Sequence, residues 1–169
     1  MRIGFTGKAG SGKSSLARFL ERRFGYVRLS FAEHLKQVCE QVFPDLRVNK
    51  HRYRRFLQVV GTTAREIDPD VWIRHLHRRN WLVFALHDRI VVDDVRFLNE
   101  AAFLRSQNFV IVRVVGRGYR LDADAARHVS ETEMDKIEAD FVLDNSGDFA
   151  ETCRKLVDFI RKFEQKRKK

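Results

Sequence analysis

Short apolar runs alternate with longer amphipathic segments along most of the chain. The first run, RIGFT, is rich in β-forming residues, and in the segment KSSLARFLERRF that follows a glycine loop the apolar residues recur at helical spacing. Further strands are predicted at 26–30, 89–95, 109–115 and 141–143. Further helices are predicted at 31–43 before Pro44, around 56–60, from 68 onward, at 97–107 and at 148–163.

The alternation of strands and helices, with a glycine loop directly after the first strand, predicts an α/β fold. The expected architecture is a three-layer fold, a parallel sheet with helices on both faces. In such a sheet, ligands gather beyond the carboxyl ends of the strands. A chain of 169 residues with 44% hydrophobic content can bury one good core, so residues 1–169 are expected to form a single domain.

Cysteine usage and hydropathy narrow the setting in which the protein works. Cys39 and Cys153 are the two cysteines, and their spacing suggests neither a disulfide framework nor a zinc site. No apolar run approaches the roughly 18 residues of a membrane span, and the sequence opens without a signal-peptide pattern. We therefore expect a cytoplasmic, reduced setting and no membrane partner.

The net charge of +10 is concentrated at the C-terminal end. Residues 154–169 hold eight Lys or Arg residues against two acidic ones. A basic end can bind nucleic acid through phosphate contacts, but a solvated helix end is the commoner explanation. We therefore expect no nucleic-acid partner and keep nucleic-acid binding as the alternative. The remaining arginines suit an enzyme whose ligands carry phosphate.

The segment GKAGSGKS at 7–14 matches G-x-x-x-x-G-K-[ST] between a strand and a helix. Glycine lets the backbone wrap a phosphate chain, and the N–H groups at the helix start face the anion. Lys13 would neutralise the β- and γ-phosphates of ATP, and the Ser14 hydroxyl can bind Mg²⁺. The motif therefore predicts a P-loop NTPase fold. The nucleotide-binding residues that it predicts are Gly7, Ala9, Gly10, Ser11, Gly12, Lys13, Ser14 and Ser15.

Two acidic residues, Asp93 and Asp94, close a predicted buried strand at the edge of the sheet where ligands gather. One of them is expected to hold Mg²⁺, directly or through water. Asp94 is the better candidate because Arg96 follows two residues later, and a carboxylate and a guanidinium there can organise metal and phosphates together. A strand-end turn or a helix cap is an equal explanation for Asp93.

Polar residues also interrupt the pattern elsewhere. Arg65 lies in the run QVVGTTAREID, which could bind a base and a phosphate or form a solvated helix face. A polar stretch at about 116–130 is predicted to be a loop or lid, bracketed by arginines that include Arg113 and Arg117. The segment HVSE at 128–131 follows, where helix capping is the first explanation.

The aromatic residues are expected mostly in the core. This expectation includes Trp72 and Trp81. Phe31 is the exception, because it stands at the end of a predicted strand on the acceptor side. It is the candidate for stacking against a base.

Six blocks of the sequence resemble the deoxynucleoside monophosphate kinases of bacteriophages and related viruses. They follow one another along nearly the whole chain: GKAGSGKSS at 7–15, FAEHLK at 31–36, Q-x-x-G-T-x-x-R-x-x-D-x-x-x-W at 58–72, DDVRFLNE at 93–100, H-x-S-E at 128–131 and DNSGD at 144–148. The first block is shared widely among P-loop proteins. The combination of GTxxR, DVRFxNE and HxSE is much more specific.

The resemblance implies a fold like that of nucleoside monophosphate kinases and the reaction of ATP with dNMP to give ADP and dNDP, with Mg²⁺. It implies that Lys13, Ser14 and Asp94 serve ATP and the metal, and that Arg65 and Arg96 bind the acceptor phosphate. The acceptor would lie against a helical segment at about 32–80. The residues predicted on the acceptor side, including those of the lid, are Phe31, Lys36, Gln58, Gly61, Thr62, Arg65, Trp72, Arg96, Glu100, Arg117, His128, Ser130 and Glu131.

Other acceptors and another class of function stay open. Dephospho-coenzyme A kinase is similar in its opening loop and layout, and a nucleic-acid 5′ end is a further alternative acceptor. A P-loop switch module that docks on nucleic acid is the alternative outside the enzymes. The basic segment HRYRR at 51–55 has no role in the resemblance. The sequence is compatible with a homodimer, and a virus-encoded enzyme of this kind would act in the host cytoplasm.

Overall fold

The computed structural model describes residues 1–116 and 132–166. Apart from Gly116, the predicted lid lies outside the described residues. The acceptor-side candidates outside them are Arg117, His128, Ser130 and Glu131.

Within the described residues, five strands form one parallel sheet in the order β2-β3-β1-β4-β5. Their bounds are β1 Arg2–Thr6, β2 Val27–Leu29, β3 Ile90–Val92, β4 Phe109–Val115 and β5 Phe141–Asp144. The central strands are continuous apolar runs because helices cover both faces of the sheet. The predicted parallel α/β architecture is confirmed.

The helices of the described residues lie in both outer layers. Their bounds are α1 Lys13–Phe24, α2 Glu33–Val42, α3 Lys50–Ile67, α4 Val71–Arg79, α5 Trp81–Leu86, α6 Leu98–Ser106 and α7 Phe149–Lys166. Short 3-10 turns occur at Pro44–Val48 and Glu133–Lys136.

Alternate residues of the strands supply two cores on opposite faces of the sheet. On one face, Phe5 of β1 packs with Leu16 of α1 and Leu156 of α7. On the other face, Val92 of β3 packs with Leu76 of α4 and with residues of α6. This alternation follows from the two-residue period of a strand.

The predicted helices are confirmed in position, with differences at their ends. Helix α3 begins at Lys50, so it includes the basic segment that had no assigned role. The Asn49 side chain caps it, accepting a hydrogen bond from the Arg52 backbone N–H at 3.1 Å. Helix α5 was not predicted, because the six residues of WLVFAL are too few to establish a helical period. Its Trp81 is 58% exposed, so the expectation that this tryptophan lies in the core was wrong.

Both cysteines are free and buried. None of the helices described in the structure combines the length and the apolar character needed to cross a membrane.

Candidate functional site

A cavity of about 460 Å³ opens at the carboxyl edge of the sheet. Its walls come from the glycine loop, from α2, α3 and α4, and from the segment that follows β3. The predicted site residues that line it are Ala9, Gly10, Gly12, Lys13, Ser14, Ser15, Lys36, Gln58, Thr62, Arg65, Trp72, Asp94 and Arg96. The fold thus brings together most of the described candidates, which the sequence scatters over almost 90 positions.

The glycine loop is shaped by backbone angles that favour glycine. Gly7, Gly10 and Gly12 have φ of 137°, 79° and 102°. A Cβ on Gly7 would lie 2.2 Å from the carbonyl oxygen of Val114, so the loop also passes too close to β4 for any side chain. Lys13 is 8% exposed, and its Nζ donates to the carbonyls of Gly7 and Lys8. Its charge is therefore held inside the loop at the start of α1.

Asn145 supports this loop from beneath. It follows β5, is 1% exposed, and its Nδ2 donates to the Ser11 carbonyl at 2.8 Å. A Cβ on Gly12 would lie 2.3 Å from the same Nδ2. Sequence reasoning found the block DNSGD but gave Asn145 no role. The signal was present, because a polar residue directly after a parallel strand belongs to the ligand edge of the sheet.

The two acidic residues after β3 have different surroundings. Asp93 is 3% exposed, forms a hydrogen bond with Ser14, and pairs with Arg28 at 3.1 Å. Burial raises the pKa of Asp93, and the neighbouring Asp94 raises it further. Asp93 is therefore the carboxylate beside the hydroxyl that was predicted to bind metal.

Asp94 caps the start of α2. Its carboxylate accepts hydrogen bonds from the Ser30 hydroxyl at 2.7 Å and from the backbone N–H groups of Phe31 and Ala32 at 2.9 and 3.0 Å. The sequence had suggested a cap for Asp93, on the helix that follows it, whereas the observed cap is made by Asp94 on α2. Asp94 still lines the cavity, but its two oxygens are engaged by the protein.

Arg65 is held in place on three sides. Its NH2 donates to Glu100 Oε1 at 2.8 Å, its NH1 donates to the Gly61 carbonyl at 3.0 Å, and its guanidinium lies 3.9 Å from the ring centre of Phe97. The Gly61 carbonyl also accepts from Trp72 Nε1 at 3.1 Å. These contacts fix the guanidinium in the cavity wall before any ligand arrives.

Glu100 stands behind Arg65. It is 2% exposed, and its Oε2 accepts from the backbone N–H groups of Arg96 and Phe97 at 2.8 and 3.2 Å. Burial raises the pKa of Glu100 to about 7, although Arg65 lowers it. The prediction that Glu100 contacts the acceptor needs correction, because the carboxylate positions Arg65 and the turn at Arg96 instead.

Gly7 and Ser11 of the glycine loop do not line the cavity, and neither do Phe31, Gly61 and Arg113. Phe31 is 3% exposed in the core beside Leu76, so it presents no face for stacking and that expectation was wrong. Gly61 is buried and acts through its carbonyl. Arg113, which was placed beside the lid, donates to the carbonyls of Met134 and Ile137 and so anchors the 3-10 turn.

Sequence reasoning missed Arg54 and Leu57, which line the cavity from α3. Arg54 comes from the basic segment HRYRR, to which the family resemblance assigned no role. The signal was periodicity, because Arg54, Gln58 and Arg65 are spaced by four and seven residues and so share one helix face.

Comparisons with known proteins agree with this geometry. Residues 45–156 match the family described as deoxynucleotide monophosphate kinase. The chain is 28% identical over 186 residues to a putative deoxynucleotide monophosphate kinase of Acanthamoeba polyphaga mimivirus, covering 94% of this chain and 95% of that protein. It is 29% identical over 116 residues to an uncharacterised protein of Ictalurid herpesvirus 1, covering 66% of this chain and 47% of that protein.

Among solved structures, the fold resembles several kinases. Shikimate kinase from Aquifex aeolicus matches with a TM-score of 0.53 at 15% identity, covering 98% of this chain and 99% of that one. Deoxyadenosine kinase from M. mycoides matches with a TM-score of 0.53 at 13% identity, covering 96% and 100%. Dephospho-CoA kinase from Campylobacter jejuni matches with a TM-score of 0.53 at 14% identity, covering 98% of each chain.

Proposed function

Because the chain belongs to the deoxynucleotide monophosphate kinase family, we propose that it transfers the γ-phosphoryl group of ATP to a deoxynucleoside monophosphate. The observation that carries the proposal is that Lys13 and Ser14 of the glycine loop line the same cavity as Arg65 and Arg96. A phosphate loop opposite two arginines suits a reaction in which both substrates carry phosphate.

We divide the cavity into two parts. The donor half consists of the glycine loop at 7–15 with Asp93, and it would hold ATP. The acceptor half consists of the cavity-lining residues of α2, α3 and α4 together with Arg96 and Phe97, and it would hold the monophosphate.

The reaction needs alignment and charge neutralisation rather than a protein nucleophile. An oxygen of the acceptor phosphate forms a bond to the γ-phosphorus, and the bond from that phosphorus to the oxygen bridging the β-phosphate breaks. ADP leaves with the bond's electrons, and dNDP is the second product. Lys13, Arg65 and Arg96 stabilise the negative charge on the phosphoryl oxygens, while the arginines orient the attacking oxygen.

The donor set beside Ser14 fits Mg²⁺, because a hydroxyl and a carboxylate are hard oxygen ligands. Ser14 and Asp93 would hold the ion, which would neutralise negative charge on the phosphates of ATP. We favour Asp93 over Asp94 because Asp93 is bonded to Ser14, whereas Asp94 is engaged in capping α2.

This assignment of the metal ligand can be tested by titrating Mg²⁺ against activity. We expect Asp93→Asn to raise the Mg²⁺ concentration needed for half-maximal rate by more than Asp94→Asn does. Asp94→Asn should mainly lower the melting temperature, because it weakens the cap of α2. If Asp94→Asn raises the Mg²⁺ concentration for half-maximal rate by more than Asp93→Asn does, Asp94 is the metal ligand.

The test of the function is an acceptor panel. ADP production from ATP and Mg²⁺ would be measured with the four dNMPs, the matching ribonucleotides, dephospho-coenzyme A and a DNA 5′ end. We expect at least one dNMP to raise ADP production many-fold, with the dNDP as the second product. Lys13→Ala protein purified in parallel controls for a contaminating kinase. Hydrolysis stimulated only by DNA or RNA, with no transfer, would instead support a nucleotide-binding module.

A further inference from the structure

Arg28 lies outside the cavity that would hold the substrates, but its side chain contacts one wall of that cavity. It stands on β2, an edge strand of the sheet, and lines a second cavity of about 390 Å³ formed mainly by β2, α2 and α4. None of the six sequence blocks contains it. An effect of Arg28 on the reaction would therefore pass through another residue.

The residue in contact with Arg28 is Asp93, which lines the substrate cavity. Arg28 Nε donates to Asp93 Oδ2 at 3.1 Å, and the Asp93 side chain is 3% exposed. The charge of Lys36 also acts on Asp93, but Lys36 Nζ donates to the Ser30 hydroxyl at 3.3 Å. Among the described residues, Arg28 is therefore the cation in direct contact with this buried carboxylate.

The sheet presents Arg28 to Asp93 from a rigid element. Strands β2 and β3 are parallel neighbours in which Arg28 is paired with Val91, two residues before Asp93. Backbone pairing fixes where the Arg28 side chain begins, and a group carried on a strand is held more precisely than one carried on a loop. Arg28 is therefore placed to anchor the Asp93 carboxylate before any ligand binds.

Asp93 depends on this anchor more than its neighbour Asp94 depends on any single contact. Asp94 accepts three hydrogen bonds, from the Ser30 hydroxyl and from two backbone N–H groups. The Asp93 side chain has Ser14 and Arg28 as its hydrogen-bond partners among the described residues. Because Ser14 would itself bind the metal, Arg28 is the group left to fix Asp93 while the ion is bound.

The contact with Arg28 leaves Asp93 able to bind a cation. A carboxylate has about four acceptor positions, and Arg28 Nε occupies one of them. The positions that remain can serve Ser14 and a hard cation, whose preferred ligands are oxygen atoms. A hydrogen-bonded partner behind a metal ligand fixes its orientation, and loss of such a partner commonly lowers metal affinity about 10- to 100-fold.

We propose that Arg28 is a positioning residue for the metal site. It holds the Asp93 carboxylate beside the Ser14 hydroxyl, so that the two oxygen ligands are already aligned when Mg²⁺ and ATP bind. The inference rests on the metal assignment within the proposed function, and it adds the residue that sets the geometry of that ligand. Substitution of Arg28 should therefore impair the steps that involve the metal and leave the acceptor half unchanged.

The test compares the affinity of a nonhydrolysable ATP analogue with and without Mg²⁺, measured by calorimetry. We expect Arg28→Met to weaken binding of the analogue about tenfold when Mg²⁺ is present, and by less than about twofold in EDTA. The Mg²⁺ concentration for half-maximal rate should rise about tenfold, and KM for dNMP should stay near wild type. Arg28→Lys keeps the charge without the directed guanidinium, so we expect an intermediate effect of about threefold.

Arg79→Met is the matched control. Arg79 is exposed and lines the same second cavity, and its NH1 donates to Gln37 rather than to Asp93. This variant should keep the wild-type response to Mg²⁺.

A double variant keeps the test decisive if Arg28→Met does not fold, because that change alone leaves Asp93 buried and unpaired. Arg28→Met is then combined with Asp93→Asn and compared with Asp93→Asn alone. If Arg28 acts through Asp93, the second substitution should change the Mg²⁺ requirement by less than about twofold.

Equal weakening of the analogue with and without Mg²⁺ would overturn the inference, because it would show a general effect on the fold. An unchanged Mg²⁺ requirement, or a double variant in which the two effects add, would overturn it as well. If Asp93→Asn itself leaves the Mg²⁺ requirement unchanged, the inference fails and phosphoryl transfer to dNMP stands. If no dNMP is accepted but Arg28→Met weakens analogue binding in Mg²⁺ and not in EDTA, the proposed acceptor fails and the inference stands.

Discussion

The two halves of the cavity are built in different ways. The donor half is formed by nine consecutive residues whose backbone wraps into a loop at the start of α1, with Asn145 and Asp93 beside it. The acceptor half is assembled from side chains of three helices and the turn after β3. Its arrangement depends on one buried carboxylate, Glu100, which holds both Arg65 and the backbone of that turn.

This difference implies that the two halves fail differently. Among substitutions only proline removes a backbone N–H group, so the donor half depends mainly on its glycines, on the charge of Lys13 and on Asp93. The acceptor half depends on side-chain contacts between separate elements, where one substitution displaces several groups. Substitutions in the donor half should therefore mainly impair the binding and use of ATP, and substitutions in the acceptor half those of the monophosphate.

The largest effect is expected from Lys13→Ala. This substitution removes the positive charge closest to the transferred phosphoryl group, and we expect kcat to fall on the order of 10³-fold. Lys162→Ala, an exposed lysine of α7, should behave as wild type. Initial-rate kinetics with the preferred dNMP, and a thermal melt to confirm folding, provide the measurement. A kcat of Lys13→Ala within tenfold of wild type would show that the glycine loop does not act in the transfer.

Arg65→Lys tests the acceptor half. Lysine keeps the charge but loses the fork that joins Glu100 to a phosphate, so we expect kcat/KM for dNMP to fall about 10²-fold, or about 2.7 kcal/mol. Binding of a nonhydrolysable ATP analogue, measured by calorimetry, should barely change. Arg78→Lys, on the exposed side of α4, is the control. Loss of ATP binding with dNMP binding intact would assign Arg65 to the donor half.

Arg96→Lys is expected to lower kcat/KM for dNMP about as much as Arg65→Lys does. It should likewise leave the binding of ATP nearly unchanged. Arg96 lines the cavity, and its backbone N–H donates to Glu100, whereas Arg65 pairs with Glu100 through its side chain. We therefore expect Glu100→Gln to impair Arg65 more than Arg96. A double-mutant cycle on kcat/KM should show coupling between Glu100 and Arg65. The same cycle for Glu100 and Arg96 should show nearly additive effects.

Asn145→Ala tests whether the donor half depends on support outside its own nine residues. The change leaves the buried Ser11 carbonyl without its donor, a cost of about 1–3 kcal/mol, so we expect ATP to bind about tenfold more weakly. The KM for dNMP should stay near wild type. Equal losses for both substrates would show that Asn145 supports the sheet edge as a whole.

The smallest effect is a pH dependence of the acceptor half. The folded-state pKa of Glu100, about 7, lies above its ordinary value of 4.5, because burial favours the neutral carboxyl. Its contribution to the free energy of unfolding is thus greatest below pH 4.5 and is lost as pH rises through about 7. Binding of the monophosphate should instead strengthen as pH rises, since only ionised Glu100 holds Arg65 by charge.

We therefore expect kcat/KM for dNMP to fall about fivefold from pH 8 to pH 6, as Glu100 takes up its proton. The acceptor phosphate itself titrates with a pKa of about 6. Glu100→Gln, assayed at each pH, shows the contribution of the phosphate alone, because glutamine cannot ionise. Parallel pH profiles for the two proteins would exclude Glu100 as the titrating group.

Much of this molecule could be predicted from local sequence, and the exceptions have physical reasons. The strands and the glycine loop could be found because their residues are contiguous and periodic. The roles of Asp93 and Asp94 could not, because the two residues are adjacent and only the position of α2 decides which one caps that helix. Arg54 was missed because it stands among other basic residues, and only the orientation of α3 decides which of them line the cavity and which face solvent.

Trp72 gives the chain an optical probe of its own. The chain has two tryptophans: Trp72 lines the acceptor half and Trp81 is exposed on α5. A Trp81→Phe protein would keep Trp72 as its one tryptophan, and the tryptophan emission depends on the polarity and hydrogen bonding around the indole. Fluorescence of that protein would therefore follow the filling of the acceptor half in real time, without turnover and without a label.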